Sequence, residues 1–236
     1  MKLSVDTTYR SKEKELMDDL QMDGELLYDT LDKIAEINKL LGGNKVVLSG
    51  LDFLLKNSNN KTPITIVDLG CGNGAMLRTL AVYARKKKLK FTLIGIDANA
   101  HTLAYAETLS QDFEEIQYKN IDVFSKEFDA LSFDIVVATL FMHHFDEQEI
   151  LSLVQQSSTK ATIGVVINDL HRHWMSYYLF KVFSLFFGNK MTRHDGAISI
   201  LRGFKKDELA TLAKQINNTS FIRWKWAFRY QWIIQN

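Results

Sequence analysis

Residues 66–74 read Ile-Val-Asp-Leu-Gly-Cys-Gly-Asn-Gly, and this stretch decides the fold. The mainly apolar residues 64–69 predict a buried strand. The glycines that follow predict a tight turn, because glycine accepts positive φ and lets a ligand approach the backbone. Asp68 places a carboxylate two residues before the first glycine. A carboxylate there repels phosphate and suits a ligand that carries an ammonium group and a sulfonium.

The same glycines also fit a second kind of site. With Ala75 in third place they match the G-x-G-x-x-G/A dinucleotide fingerprint, so spacing alone leaves a nicotinamide nucleotide open. Asp97 ends a second apolar run, and Asp122 follows a third. At the carboxyl end of the second strand of a doubly wound sheet, an acid accepts hydrogen bonds from both ribose hydroxyls. Asp122 is placed to accept one from an adenine amino group, so the sequence predicts a nucleoside site.

Residues 67–74, Asp97, Asp122 and residues 133–145 resemble, in this order, the motifs of the class I S-adenosylmethionine-dependent methyltransferases. The resemblance spans about residues 62–170 and implies S-adenosylmethionine as the cofactor. The cofactor-binding residues that it implies are Asp68, Gly70, Cys71, Gly72, Gly74, Asp97, Ala98, Asp122, Val123 and Thr139. An NAD(P)-dependent oxidoreductase and a catalytically silent cofactor-binding partner subunit are the alternatives. Asp68 and Asp122 argue against the oxidoreductase.

Apolar runs and helical patterns alternate along the chain, which predicts a parallel sheet covered by helices. The fold class expected is α/β, with a Rossmann-like, doubly wound sheet of seven strands whose last strand is antiparallel. Strands are predicted at 64–69, 91–97, 115–121, 133–139 and 162–169, and a final hairpin at 221–234. Helices are predicted at 74–87, 99–111, 146–158 and 205–216, the third with a capping box from Asp146 to Glu149.

The residues before the first strand exceed what a cofactor fold needs. Leucines and isoleucines at helical spacing predict a helix that ends at Gly42-Gly43, and a second helix is predicted at 45–56. We interpret residues 1–61 as an N-terminal helical lid over cofactor and acceptor, and residues 62–236 as the Rossmann-like methyltransferase domain. A pair of helices that only covers one edge of the sheet is the alternative.

A second elaboration, residues 170–203, is predicted as a helical insertion after the fifth strand. Its aromatic run, 174–187, fits the wall of an acceptor pocket, a plain core helix or an interfacial membrane helix. The run is too short and too polar to span a bilayer. Its position after the fifth strand favours the pocket, because similar methyltransferases carry substrate-binding insertions there.

A narrower resemblance concerns the acceptor. Residues 37–43 and 193–216 are similar to bacterial methyltransferases that act on small aromatic, polyketide or quinone-type molecules. This implies methylation of a phenolic hydroxyl or an activated ring carbon, and we expect in-line O-methylation with a histidine base. Candidate catalytic residues are His143, His144 and His194. Candidate substrate-binding residues are Arg10, His171, His173, Tyr177 and Arg193. No metal is expected, because the fourth strand ends without the acid of a magnesium site.

Composition narrows the partners and the compartment. A net charge of +1 over 236 residues gives no concentrated basic face, so no nucleic-acid partner is expected. A single cysteine rules out an intramolecular disulfide, and no secretory signal opens the chain, so a cytoplasmic location is expected. The expected partner is a small hydrophobic or aromatic acceptor. Peripheral membrane contact and a homodimer stay open.

Overall fold

One mixed sheet forms the centre of the computed structural model, which describes residues 5–56 and 63–236. The strands are β1 (Ile64–Leu69), β2 (Phe91–Asp97), β3 (Ile116–Asn120), β4 (Ile135–Thr139), β5 (Gly164–Leu170), β6 (Thr219–Lys225) and β7 (Arg229–Gln235). The helices are α1 (Glu25–Leu40), α2 (Gly43–Lys56), α3 (Ala75–Lys87), α4 (Ala100–Leu109), α5 (Lys126–Asp129), α6 (Glu147–Lys160), α7 (Trp174–Phe187), α8 (Lys190–Arg202) and α9 (Lys206–Ala213). Short 3₁₀ turns lie at Leu16–Asp18 and Met142–His144.

The strand order is β3-β2-β1-β4-β5-β7-β6, with β1 to β5 parallel and β7 antiparallel to both of its neighbours. This confirms the predicted doubly wound sheet of seven strands with an antiparallel last strand. The order reverses between β1 and β4, which lie side by side although two strands separate them in the sequence. Ligands of open α/β sheets bind at the carboxyl ends of the strands at such a reversal.

Both faces of the sheet are covered, so the central strands are buried on both sides. One apolar layer joins the sheet to α2, α3 and α4, and the other joins it to α5, α6 and α9. Trp232 of β7 is 1% exposed and is among the largest side chains in the second layer. The rigid sheet therefore fixes the positions of the loops at its carboxyl edge.

The predicted boundaries of β1 and β2 coincide with the observed ones, and those of the other elements differ by up to three residues. The side chain of Asp146 accepts hydrogen bonds from the backbone of Gln148 and Glu149, and the Glu149 side chain accepts one from the Asp146 backbone. The predicted capping box is therefore confirmed. The two glycines predicted to end the first helix have different roles. Gly42 has a φ of +79° and lies between the helices, whereas Gly43 is the first residue of α2.

Helix α2 packs directly on the sheet. A Cβ at Gly50 would lie 2.6 Å from the Val166 side chain of β5, and Gln231 of β7 donates to the Val46 carbonyl. A helix packed this closely belongs to the core, and the lid role of residues 1–61 stays a prediction. The boundary drawn between residues 61 and 62 lies outside the described residues.

The insertion after β5 consists of two packed helices, α7 and α8, of which the sequence predicted the first. The contact is close: a Cβ at Gly196 of α8 would lie 2.2 Å from the Phe180 ring of α7. Several apolar side chains of α7 are exposed, with Leu179 at 55% and Val182 at 60% exposure. Within the described parts of the chain, no helix has the length and apolar character needed to cross a membrane.

Candidate functional site

A cavity of about 1610 Å³ opens at the carboxyl ends of β1 to β5. Its floor is made by the loops that follow these strands, and its walls come from residues 9–20, α1 and α7. Of the predicted cofactor-binding residues, all except Gly74 line it: Asp68, Gly70, Cys71, Gly72, Asp97, Ala98, Asp122, Val123 and Thr139. The predicted nucleoside site therefore lies on one continuous surface.

The glycine loop after β1 has the backbone geometry that only glycine accepts easily. Gly70, Gly72 and Gly74 have φ values of +63°, +53° and +75°. A Cβ at Gly70 would lie 2.1 Å from the Phe141 ring, and one at Gly74 would lie 1.9 Å from the Tyr118 hydroxyl. Gly74 is the residue that caps α3, so its place is the turn into the helix rather than the cavity surface.

Two acids lie side by side at the ends of β1 and β2. Asp68 is 2% exposed, and burial together with the nearby charge of Asp97 raises its pKa to about 8. Burial also raises the pKa of Asp97, although its two oxygens accept hydrogen bonds from the backbone of Gly72 (3.1 Å) and Asn99 (3.0 Å). Asp68 therefore holds a proton at neutral pH unless a cation lies beside it.

Asp122 follows β3 at the exposed rim of the cavity. One of its oxygens accepts a hydrogen bond from the Phe124 backbone at 2.9 Å, which fixes the carboxylate over this loop. Val123 beside it is 5% exposed and supplies an apolar surface.

Cys71 of the glycine loop is 7% exposed. Burial raises the pKa of its thiol well above the ordinary value, so the thiol is not an activated nucleophile.

His143 lies beyond β4, buried between two carboxylates. Its Nδ1 is 2.7 Å from Asp169 Oδ1, and its Nε2 is 3.5 Å from Glu15 Oε1. Burial by itself lowers the pKa of His143, but the charges and hydrogen bonds of Asp169 and Glu15 outweigh it and raise the pKa to about 9. Burial by itself raises the pKa values of Asp169 and Glu15. The charge and hydrogen bonds of His143 outweigh burial, so both pKa values are lowered. At neutral pH the three side chains form a buried imidazolium with two carboxylates.

His144 also lines the cavity and is held from the N-terminal segment. Its Nδ1 is 2.7 Å from Asp18 Oδ1, and Arg202 Nη1 is 2.7 Å from the other oxygen of Asp18. Burial raises the pKa of Asp18, but His144 and Arg202 reverse this and hold it well below its usual range. Ligand atoms of Glu15, His143 and His144 lie within 4.8 Å of one another, a spacing that suits a metal ion. The ion pairs already balance these charges, and the absence of a metal stays a prediction.

The N-terminal segment is fastened across the cavity by polar contacts. Arg10 donates hydrogen bonds to the carbonyls of Arg202, His143 and Phe145 at 2.8 to 2.9 Å. Asp195 of α8, 1% exposed, accepts hydrogen bonds from the backbone of residues 16 and 17. Arg10 lines the cavity but its guanidinium is engaged by these carbonyls, and its predicted contact with an acceptor stays a prediction.

The structure separates the remaining predicted residues into two groups. His171 lines the cavity, and burial lowers its pKa to about 4, which keeps it neutral. His173, Tyr177, Arg193 and His194 are not among the residues that line the cavity. His173 caps α7, Arg193 donates to carbonyls of α7 and Gly188, and His194, 44% exposed, lies 2.8 Å from Asp195. Their predicted roles in catalysis or acceptor binding stay predictions.

Glu15 and Arg229 line the site and were missed by the sequence analysis. Asp169 lies near the end of β5, where an acid is a recognisable signal. Glu15 and Arg229 carried no local signal, because each reaches the site through contacts with distant parts of the chain.

Comparisons with known proteins agree with this geometry. Residues 66–159 match the family model of a methyltransferase domain. The comparison with curated proteins gave no match. Among solved structures, the plantazolicin methyltransferase BpumL in complex with SAH is similar, with a TM-score of 0.65, 16% identity and coverage of 87% of this chain and 89% of that one.

Two other structures are also similar. An O-methyltransferase family protein from Burkholderia thailandensis has a TM-score of 0.61 and 15% identity, over 87% of this chain and 59% of that one. Magnesium protoporphyrin IX methyltransferase (ChlM) from Synechocystis PCC 6803, with bound SAM, has a TM-score of 0.54 and 13% identity, over 93% and 89%. At such identities the likeness establishes a shared fold.

Proposed function

We propose that this chain is a class I S-adenosylmethionine-dependent methyltransferase that methylates a small hydrophobic or aromatic acceptor at oxygen. One observation carries the proposal. The glycine loop and three acids, at the ends of three consecutive strands, line a single cavity that continues past β4 to apolar side chains of α7. The family match favours this function over an oxidoreductase.

The residues present fit the cofactor. S-adenosylmethionine, when bound, supplies a methyl group activated by a positive sulfonium. Asp68 is buried and stays protonated until a cation approaches, which suits the ammonium group of the cofactor. Asp97 presents carboxylate oxygens for ribose hydroxyls, and Asp122 and Val123 present an acceptor and an apolar surface for the adenine.

His143 is the candidate general base for a hydroxyl acceptor. Asp169 holds Nδ1 and orients the ring, and Nε2, which lies 3.5 Å from Glu15 Oε1, makes no shorter hydrogen bond to the described residues. Because the pKa of His143 is raised to about 9, its neutral form becomes the major one only above that pH. The rate of a reaction that uses this base rises with pH towards 9, since the proton of the acceptor must pass to neutral Nε2.

Residues 5–42 act as the lid in this proposal. Glu15 and Asp18 close over His143 and His144, and Arg10 ties the same segment to loop carbonyls beside them. Excluding water at the carboxyl edge of the sheet protects the reacting centre. A cytoplasmic location, membrane contact and a dimer stay predictions.

Calorimetric titration with S-adenosylhomocysteine, alongside NADH and NADPH, tests the cofactor. We expect micromolar binding of S-adenosylhomocysteine alone. Asp97→Asn should weaken it by roughly tenfold to a hundredfold, because hydrogen bonds to a charged group are lost. Asp112→Asn, which changes an exposed acid, is the matched control. Binding of a nicotinamide nucleotide instead, or of none of the three, overturns the proposal.

Turnover of a panel of phenols with labelled S-adenosylmethionine tests the base. His143→Gln should lower kcat by about 10²- to 10⁴-fold and remove the rise with pH. His194→Gln, outside the cavity lining, serves as the comparison and should keep both. Equal loss in the two variants, or a pH profile that survives in His143→Gln, contradicts the assignment of His143.

A further inference from the structure

Arg229 lies at the edge of the sheet that carries the site. It is the first residue of β7 and pairs in register with Leu170, the last residue of β5. Both residues line the cavity. Neighbouring strands are about 4.8 Å apart, so β7 lies roughly 10 Å across the sheet from β4, where His143 follows. Arg229 therefore belongs to the acceptor end of the cavity and not to the nucleoside end.

Two of the guanidinium nitrogens of Arg229 lack a hydrogen-bond partner. The residue is 2% exposed, and its Nε and Nη1 atoms are buried with no hydrogen-bond partner among the described residues. Burial lowers its pKa to about 10, so the side chain is still charged at neutral pH. The nearby charge of Asp169 offsets the burial only in part. The oxygens of Asp169 accept hydrogen bonds from His143 and Leu170.

A second buried arginine of the same molecule has a full set of hydrogen-bond partners. Arg172, 1% exposed, donates to both oxygens of Glu208 and to the carbonyls of Gly203, Thr7 and Thr8. A buried charge without such partners is strongly destabilising. The fold thus provides every partner for one buried arginine and leaves the other facing the cavity.

The neighbours of Arg229 are flat and apolar. The rings of His171 and Phe228 stack at 6.2 Å with an angle of 27° between their planes, and His171 is neutral. Leu179 and Phe180 of α7 line the same cavity. A flat conjugated ligand fits such walls, and an anionic group on it would supply the partner that the guanidinium lacks.

We propose that Arg229 is an anion-binding subsite of the acceptor pocket, and that the acceptor is a flat aromatic carboxylic acid. The inference rests on the proposed function, since it places the carboxylate at Arg229 and the methyl-accepting oxygen near His143. Because β7 and β4 lie roughly 10 Å apart, a ligand of two fused rings with the two groups at opposite ends is a suitable probe of this arrangement.

The test uses 6-hydroxy-2-naphthoate and its neutral amide as probes, titrated into the full chain with S-adenosylhomocysteine present. The carboxylate should bind at least tenfold more tightly than the amide. Arg229→Gln should bind both equally and keep its affinity for S-adenosylhomocysteine, while Arg229→Lys should keep part of the preference. Equal binding of acid and amide, a preference that survives in Arg229→Gln, or binding of neither probe overturns the proposal. Loss of S-adenosylhomocysteine binding in the wild type signals instead that the cofactor assignment is wrong.

Thermal unfolding supplies an independent test. Arg229→Met should unfold at the wild-type temperature or above it, because it removes a buried charge whose Nε and Nη1 atoms make no hydrogen bond to the described residues. Arg172→Met is the matched control and should unfold at a clearly lower temperature, because it removes the guanidinium that donates to Glu208 and to three carbonyls. An equal fall in both variants would show that Arg229 is structural and would refute the subsite.

Discussion

Binding of S-adenosylhomocysteine is expected to release a proton from Asp68. Burial and the charge of Asp97 raise the pKa of Asp68 to about 8 in the free protein. At pH 7 such a carboxyl is protonated in about nine molecules out of ten. The ligand brings an ammonium group, which favours the ionised carboxylate and lowers its pKa. Binding at pH 7 should therefore release about 0.9 proton from this residue.

Calorimetry at pH 7 in phosphate and in Tris measures this number, because the observed enthalpy changes with the ionisation enthalpy of the buffer in proportion to the protons released. Asp97, whose pKa is also raised, adds its own share. The difference between the wild type and Asp68→Asn isolates Asp68. The affinity should also rise about tenfold per pH unit below pH 8 and become flat above it.

Two results would refute this reasoning. Equal proton release by the wild type and Asp68→Asn would mean that Asp68 is already ionised, or that it does not face the ammonium group. If the variant fails to bind, the wild type alone decides: an affinity that is constant between pH 6 and pH 8 excludes a proton-coupled carboxylate.

Further perturbations follow from single contacts. Because the pKa of His143 is raised to about 9, its imidazolium stabilises the fold fully below pH 6.5, and this stabilisation is lost as the pH rises through 9. In urea unfolding, the free energy of unfolding of the wild type should therefore fall by about 3 kcal/mol relative to His143→Gln over this range. A pH-independent difference between the two would contradict it. Gly74→Ala meets the Tyr118 hydroxyl as well as an unfavourable φ, and should cost roughly 2–5 kcal/mol and weaken S-adenosylhomocysteine binding. Gly42→Ala, with a similar φ and open space around it, should cost only about 1–2 kcal/mol and leave binding intact. Added chelator should leave turnover unchanged, and a loss restored by one divalent metal would instead assign the Glu15 and histidine cluster to that ion.

The cofactor half of the site was predictable because its signals are local. Gly70 and Gly72 follow an apolar strand at once, and Asp97 and Asp122 end or follow the next two strands. In a doubly wound sheet those positions meet at one edge whatever the rest of the chain does. Local spacing therefore brings four groups to one cavity without knowledge of any long-range contact.

The surroundings of each histidine could not be predicted from local spacing. Adjacent residues such as His143 and His144 have the same local pattern, yet only the first is buried between Asp169 and Glu15. His194 has an acid beside it in the sequence and pairs with it in the structure, but neither it nor its α8 neighbour Arg193 lines the cavity. Which histidine receives a buried carboxylate depends on Asp169 of β5 and on Glu15 of the N-terminal segment, and the local spacing of the histidines carries no such information.

The acceptor half of the site is built from those distant segments. Glu15 comes from the N-terminal segment, Asp169 from β5 and Arg229 from β7, and the last of these meets the cavity only because β7 pairs antiparallel with β5. His143 lies between both carboxylates, whereas Nε and Nη1 of Arg229 have no hydrogen-bond partner among the described residues. The proposed cofactor is therefore encoded in short motifs. The proposed acid is encoded in a buried guanidinium whose unpaired hydrogen-bond donors appear only when the chain is folded.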